Sequence, residues 1–270
     1  QAPTAGEILA QVGDAETVVF VGGISPRVEG EEMKVSDPGF KGGDRTDINL
    51  PTVQRQILQL LHKAGKRVVF INCSGGAIAL TEEAPLCDAI VQGWYGGERG
   101  GEAMAEILMG EVNPSGKLPI TFYRSTDDLP DFLDYRMTGR TYRYFKGEVL
   151  YPFGYGLSYT SFEVGKPQYK NGVVTVNVKN TGKMDGTEVV QVYLRRTADT
   201  EGPLKTLRAY SRISVKAGQS QKVSIPLPRD QFEGWDAKSN SMRVVPGQYE
   251  LMVGTSSADK DLKTIKVNMK

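Results

Sequence analysis

Three carboxylates and a following charged pair mark the stretch of this sequence where chemistry is easiest to place. Glu29, Glu31 and Glu32 (EGEE) come soon after a short apolar run, and Asp44-Arg45 follows them. In α/β folds, residues at the carboxyl ends of strands line a concave, solvated crevice. Neighbouring carboxylates repel one another, so at least one is expected to hold its proton, as a general acid must. The same pattern is also typical of a solvated surface loop. Features elsewhere in the chain are needed to choose between a catalytic loop and a surface loop.

The first half of the chain has the pattern of a parallel α/β sheet. Short, almost continuous apolar runs predict strands that are covered on both faces, at residues 17–22 (TVVFVG), 67–73 (RVVFINC) and 88–94 (DAIVQGW). Apolar residues at helical spacing predict helices over 52–64, after Pro51 and before Gly65, and over 101–109. Strand–helix–strand order with short connections favours parallel strands joined by right-handed crossovers.

The second half has a different period. Residues 173–179 (VVTVNVK) alternate strictly between apolar and polar, and four further runs predict strands at 187–195, 221–227, 248–254 and 262–267. Turn residues such as Asn180-Thr181-Gly182 and Pro246-Gly247 separate them. Several short alternating strands without an amphipathic helix predict a β-sandwich.

An aromatic segment connects the two halves. Residues 142–162 are rich in Tyr and Phe, with glycines that argue against a regular helix or strand. Because aromatic side chains bury large areas even from irregular backbone, we interpret the segment as packing the two domains together. A sugar-stacking wall is the alternative interpretation. The predicted domains are residues 1–125, a linker at 126–164 that packs on both, and residues 165–270.

Composition excludes several functional classes. The 270 residues are 39% hydrophobic and 24% charged, with a formal net charge of +1, so the chain can bury a core but offers no basic field for nucleic acid. No apolar run is long enough to predict a membrane span. Two cysteines, Cys73 and Cys87, cannot build a disulfide framework, and no metal or cofactor is expected. Gly22-Gly23 prompts a nucleotide-binding hypothesis, but the spacing is wrong for a dinucleotide or P-loop motif.

Three motifs in order now resemble one family. Residues 93–122 (GWYGGERGGEAMAEILMGEVNPSGKLPITF), the elements YRYF and PFGYGLSYT within 142–162, and VKNTGKMDGTEVVQVYL in the second half are similar to the C-terminal portion of glycoside hydrolase family 3, of the β-glucosidase or β-xylosidase type. Trp94 and Tyr95 of the first motif could line a site, although Trp94, at a strand end, is expected in the core. The resemblance implies a flavodoxin-like α/β sandwich domain with a mostly parallel sheet, followed by an all-β fibronectin type III-like sandwich.

The family also implies roles for the acidic loop. Its members act as retaining exo-β-glycosidases, in which a barrel domain supplies an aspartate nucleophile and the loop matching residues 29–45 supplies a glutamate acid/base. Matching the motif places the acid/base at Glu31, with Glu29 the second choice and Glu32 the third. Asp44 and Arg45 are expected to position the loop beside the substrate. Glu32 stands where glycine is frequent, and the insert before Gly43-Asp44-Arg45 is longer than usual.

The expected substrate is therefore a plant-type oligosaccharide with a terminal β-linked xylose or glucose, and the expected partner is the N-terminal barrel domain of the same enzyme. Only about sixteen residues precede the first strand, far fewer than the ~200 a barrel needs, so the chain by itself is expected to be inactive. Periplasmic or extracellular location is expected from the family. The alternative is a non-catalytic carbohydrate-binding or scaffold module. The sandwich and the exposed aromatic residues would suit such a module.

Overall fold

A computed structural model describes residues 3–29, 35 and 38–270. The chain divides into two compact units. The first consists of Gln1–Leu108, Phe122–Pro130 and Gly147–Leu150, and the second of Met109–Thr121, Asp131–Lys146 and Tyr151–Lys270. The domain limits expected at residues 125 and 164, and the packing of the linker on both domains, stay predictions.

Helices and strands alternate along the first unit. In chain order they are α1 (Ala5–Val12), β1 (Thr17–Gly23), α2 (Pro26–Glu29), β2 (Phe40–Lys41), β3 (Asp44–Arg45), α3 (Thr52–Lys63), β4 (Arg67–Cys73), β5 (Ala89–Gln92) and α4 (Gly100–Leu108), with short 3₁₀ helices at Ala84–Leu86 and Thr126–Asp128. Strands β1, β4 and β5 form a parallel sheet in that order, and β2 pairs with β3 as a small antiparallel hairpin. The predicted parallel α/β arrangement is confirmed, but the prediction that the strands are covered on both faces is wrong for β1, where Val19 and Val21 are exposed.

The core of the first unit lies between this sheet and α3. Leu58 and Leu61, three residues apart on α3, are buried, as are Val68 and Phe70 of β4. Pro51 stands at the helix N-cap as predicted, and the chain leaves the helix through Gly65, whose φ of 72° ends it. The sequence did not predict α1, which begins with a capping box between Thr4 and Glu7.

The second unit is almost entirely antiparallel. Its elements are α5 (Thr141–Tyr144), β6 (Phe162–Val164), β7 (Gln168–Lys170), β8 (Val173–Asn180), β9 (Gly186–Arg196), β10 (Thr206–Val215), β11 (Ser220–Pro226), β12 (Gly234–Asp236), β13 (Ser241–Arg243), β14 (Gly247–Gly254) and β15 (Leu262–Met269), with 3₁₀ helices at Arg229–Phe232 and Asp259–Asp261. One sheet has the order β10-β9-β14-β15 and another β11-β8-β6, with β7 also on β8. The predicted all-β fold is confirmed.

Alternation of side chains builds the sandwich core. Val174, Val176 and Val178 of β8 point inward together, and they share one cluster of buried residues with strand residues of the other sheet, including Val192 and Leu251. The intervening residues of β8 are more exposed, as a period of two requires. Strand β10 was not predicted, because its register shifts between Leu207 and Ala209, where the regular alternation breaks.

Asn180 joins the two sheets of the second unit through four hydrogen bonds. Its Nδ2 donates to the carbonyl oxygens of Met184, at 2.8 Å, and Val215, at 2.9 Å. Its Oδ1 accepts from Thr160 Oγ1 at 2.6 Å and from the amide of Gly182 at 3.0 Å. The side chain is fully buried, so every polar atom it carries is satisfied inside the protein.

We therefore expect Asn180→Ala to lower the free energy of unfolding of the sandwich by about 3 kcal/mol, because it leaves buried donors and acceptors without hydrogen-bond partners. Asn177→Ala, on the exposed side of the same strand, is the matched control and should change it by less than ~0.5 kcal/mol. Urea denaturation followed by circular dichroism measures both. Equal effects of the two substitutions would contradict this role for Asn180.

Both cysteines are free thiols and partly buried. Burial, with help from the nearby carboxylates of Glu83 and Asp88, raises the pKa of the Cys87 thiol to about 11. Cys87 is therefore protonated and unreactive near neutral pH. None of the helices in the described part of the chain is long and apolar enough to cross a membrane.

Candidate active-site loop

The carboxyl ends of the three parallel strands meet at one edge of the sheet in the first unit. Gly23 pairs with Cys73 at the end of β1, and Asn72 pairs with Gln92 at the end of β5. The segments that leave these ends are the ones that carry the acidic stretch, Ser74 and the Trp94-Tyr95 pair. Such an edge is where an open α/β sheet places its ligands.

Gly23, the last residue of β1, is fixed from several sides. The Gln54 side chain holds both of its backbone groups: the Gly23 amide donates to Gln54 Oε1 at 2.7 Å, and Gln54 Nε2 donates to the Gly23 carbonyl at 2.7 Å. The next amide, of Ile24, donates to the Cys73 carbonyl at 2.9 Å. The backbone of Gly23 has a φ of 121°, and a Cβ there would lie 2.0 Å from the Cys73 oxygen. The segment that leads from β1 to Glu29 thus starts from a fixed residue.

Tyr95 ties the end of β5 to the same point. Its hydroxyl donates to the Ile24 carbonyl at 2.6 Å, while its side chain remains half exposed. Trp94 beside it has a φ of 53°, in the left-handed region that a bulky residue rarely occupies. Its ring meets Phe122 edge-on, with 6.3 Å between ring centroids, and the residue is only partly buried. The expectation that Trp94 belongs to the core is therefore wrong.

A buried polar network lies beneath this edge. Asn72 Nδ2 donates to Gln92 Oε1 at 2.7 Å and to Ser74 Oγ at 3.2 Å, and Ser74 Oγ donates to the Gly76 carbonyl at 2.9 Å. Asn72 and Ser74 are completely buried. Asn72 Oδ1 is buried and has no hydrogen-bond partner among the residues that the structure describes. The network holds the ends of β4 and β5 in fixed positions.

The first of the candidate acids, Glu29, closes the short helix α2 that leaves this edge. Its amide donates to the Ser25 carbonyl at 3.0 Å. Glu31 and Glu32 lie outside the described residues. The assignment of the acid/base among Glu29, Glu31 and Glu32 therefore stays a prediction.

Arg45 lies on the hairpin that follows the acidic stretch in the sequence. Its Nη2 donates to the Asn49 carbonyl at 3.1 Å. Burial lowers the pKa of Arg45 from its usual value, and the negative charges of Asp47 and Glu29 oppose that shift. The guanidinium stays charged near neutral pH. Its Nε is buried and has no hydrogen-bond partner within the described ranges, so it is available to a carboxylate.

Asp44, by contrast, is exposed on strand β3, where it pairs with Lys41. The turn between these strands is made by Gly42 and Gly43. The structure thus places Arg45 where the charge of Glu29 acts on it and leaves Asp44 on the solvent side. Whether either residue positions the loop beside a substrate stays a prediction.

Sequence reasoning missed the residues that fix the edge. Gln54 lies on α3, more than thirty positions from Gly23, and its contact depends on the packing of that helix. Asn72 and Gln92 gave a usable signal, since each is a polar residue that ends an apolar run. Within the described ranges, no group of three or more His, Cys, Asp and Glu side chains is placed to hold a metal ion.

Comparison with known proteins gives two family matches. Residues 3–159 match the glycosyl hydrolase family 3 C-terminal domain, and residues 188–257 match a fibronectin type III-like domain. A xylan 1,4-β-xylosidase from Xylanibacter ruminicola is 51% identical over 269 residues, which are 97% of this chain and 31% of that protein. A periplasmic β-glucosidase from Salmonella typhimurium is 37% identical over 81% of this chain and 31% of that protein.

Solved structures agree in fold. The β-glucosidase DesR from Streptomyces venezuelae, crystallised with D-glucose, superposes with a TM-score of 0.83 at 29% identity, over 98% of this chain and 35% of that one. A β-glucosidase from Kluyveromyces marxianus superposes with a TM-score of 0.84 at 28% identity, over 98% of this chain and 33% of that one. The chain spans about one third of the length of the relatives it matches.

Proposed function

Because this chain belongs to glycosyl hydrolase family 3, as its C-terminal region, we propose that it supplies the general acid/base of a retaining exo-β-glycosidase. The observation that carries the proposal is the position of Glu29. Its helix, α2, follows the fixed end of β1 at the carboxyl edge of the sheet, and its charge acts on the partly buried guanidinium of Arg45. Chemistry at this edge fits the relatives, which are named as β-xylosidases and β-glucosidases.

A retaining glycosidase uses two carboxyl groups about 5–5.5 Å apart across the scissile bond. In the first step one attacks the anomeric carbon, while the acid gives its proton to the departing oxygen. In the second step the same residue, now a carboxylate, removes a proton from water as the water displaces the enzyme from the sugar. We assign this residue to Glu31, with Glu29 second and Glu32 third.

Arg45 has a positioning role in this mechanism. Its partly buried, charged guanidinium is anchored to the Asn49 carbonyl through Nη2, and its Nε is left for another acceptor. A carboxylate of the acidic stretch is the acceptor we assign to it, so that the stretch is held against the sheet edge. Asp44, on the exposed side of the hairpin, is assigned the weaker role of contacting substrate or the loop from solvent.

The substrate we assign is an oligosaccharide with a terminal β-linked xylose or glucose. Xylose is favoured over glucose, because a xylan 1,4-β-xylosidase is 51% identical to this chain over nearly all of its residues. We also propose periplasmic or extracellular action, supported by the periplasmic β-glucosidase among the relatives.

We assign the nucleophile to a barrel domain of the complete polypeptide. The relatives are about three times as long as this chain, which leaves room for such a domain. These 270 residues by themselves are then inactive, since protonation of the leaving group needs a nucleophile on the opposite face.

Turnover and stereochemistry of the complete gene product test the proposal. We expect cleavage of 4-nitrophenyl β-xyloside or β-glucoside, with the β-anomer of the free sugar appearing first in the proton NMR spectrum, and no cleavage by the 270-residue chain. An α-anomer as first product would contradict the retaining mechanism. Binding of xylo-oligosaccharides without cleavage of either glycoside would favour a non-catalytic binding module instead.

A further inference from the structure

An exposed apolar loop lies outside the site just described. Residues 131–137 (DFLDYRM), in the second unit, form what we call the 131–137 loop. Phe132 is 82% exposed, Leu133 77%, Tyr135 85% and Met137 46%. Scattered apolar side chains are normal on a protein surface, but a contiguous group of this size marks a contact site.

The loop holds its shape through its own polar groups. Asp131 accepts hydrogen bonds from the backbone of the next residues: its Oδ1 from the Leu133 amide at 2.8 Å and its carbonyl from the Asp134 amide at 3.0 Å. The Asp134 carboxylate receives Arg136 through two nitrogens, Nε at 2.9 Å and Nη2 at 2.7 Å. This bidentate geometry fixes the turn between the apolar residues.

A second arginine supports the loop from its C-terminal side. Arg140 Nε donates to the Arg136 carbonyl at 3.1 Å, and its Nη2 donates to the Asp134 carbonyl. Hydrogen bonds from Arg136 hold the pKa of Asp134 well below its usual value, so the carboxylate stays charged near neutral pH. The charged groups of the loop thus bind one another and the backbone of the loop. The apolar side chains face outward.

We propose that the 131–137 loop is a docking surface for the N-terminal region of the same polypeptide. The loop lies within the segment that matches the C-terminal domain of family 3, and the relatives carry about two thirds of their length outside the matched region. The proposal rests on this family membership and not on the acid/base assignment.

The charges of the loop fit a protein surface better than an anionic one. Asp131 and Asp134 balance Arg136 and Arg140, so the rim has no net charge with which to attract phosphate or an acidic membrane. An apolar centre within a balanced polar rim is the anatomy of a protein–protein contact.

Hydroxyl-radical footprinting of the complete gene product tests this docking. The oxidation rates of Phe132 and Tyr135 are measured by mass spectrometry in the native protein and in the same protein unfolded in urea. We expect both residues to be oxidised at least about five-fold more slowly in the native state, because packing excludes solvent from buried aromatic rings. A smaller protection would overturn the proposal. Protection that vanishes on dilution to a monomer, as judged by light scattering, would show a second copy as the occupant and would also overturn it.

A pair of variants adds an energetic test. Tyr135→Ser in the complete gene product is expected to lower the midpoint of thermal unfolding by about 3 °C, since a docked aromatic side chain is lost. Tyr210→Ser, which removes an exposed tyrosine from β10 of the same unit, is the control and should change the midpoint by less than about 1 °C. Equal shifts would contradict docking at the loop. Neither measurement uses glycosidase activity, so failure of the docking proposal and failure of the acid/base assignment are distinguishable.

Discussion

In the complete gene product, Glu31→Gln is expected to lower kcat on a xyloside with a poor leaving group by roughly 10²–10⁴-fold, the usual contribution of a general acid. Glutamine keeps the size of the side chain but can neither give up a proton in the first step nor accept one from water in the second. With 4-nitrophenyl as leaving group the first step needs little protonation, so the loss should appear mainly in the second step. Steady-state kinetics on both substrate types measure the difference.

Three further variants make this result specific. Glu29→Gln and Glu32→Gln replace the neighbouring carboxylates, and each should cost much less than Glu31→Gln. Glu16→Gln is the control, because Glu16 is an exposed carboxylate at the amino end of β1, opposite to the site edge. If Glu29→Gln or Glu32→Gln has the largest effect, the acid/base is that residue. Equal, small effects of all four would remove the acid/base from this stretch.

Gly23→Ala is expected to damage both the fold of the first unit and the activity. A methyl group at this position would lie 2.0 Å from the Cys73 carbonyl oxygen and 2.7 Å from the Cys73 nitrogen, so the backbone of β1 or β4 must move. The positive φ adds its own strain. Together we expect a loss of ~3 kcal/mol or more in the free energy of unfolding, with kcat falling because the acidic stretch loses its rigid start.

Gly13→Ala separates the effect of the close approach to Cys73 from the effect of the positive φ. Gly13 also has a positive φ, of 58°, but a Cβ there meets nothing within 4 Å. Its substitution should cost only about 1 kcal/mol and leave kcat unchanged. Urea denaturation and steady-state kinetics on the three proteins give the comparison. If Gly23→Ala changes stability and kcat no more than Gly13→Ala does, then neither the close approach to Cys73 nor the two hydrogen bonds from Gln54 set the geometry of the site.

Much of the fold could be predicted from local patterns. Strands β1 and β4 are continuous apolar runs, whereas apolar and polar residues alternate along β8. This difference in the hydrophobic pattern is enough to distinguish the parallel sheet from the sandwich. Strand β10 escaped prediction because its bulge near Arg208 interrupts the alternation.

The fixation of the site edge could not be predicted in the same way. The bonds from Gln54 to Gly23 and from Tyr95 to Ile24 join residues far apart in the sequence, and no local pattern encodes such contacts. The pattern did point to Arg45, which is partly buried and feels the charge of Glu29, but it gave no reason to place Asp44 in solvent. Local chemistry therefore identified the acidic stretch, while long-range contacts fix the end of the strand that precedes it.

Rescue by azide tests the central claim, that Glu31 is the acid/base, most directly. Azide attacks the glycosyl-enzyme without needing a base, so the complete Glu31→Gln protein with 4-nitrophenyl β-xyloside and sodium azide should regain much of its turnover and release a β-xylosyl azide. Wild-type protein should form none under the same conditions, because water activated by Glu31 reacts first. Wild-type turnover in the variant, or a slow variant whose rate and products azide leaves unchanged, would contradict the assignment.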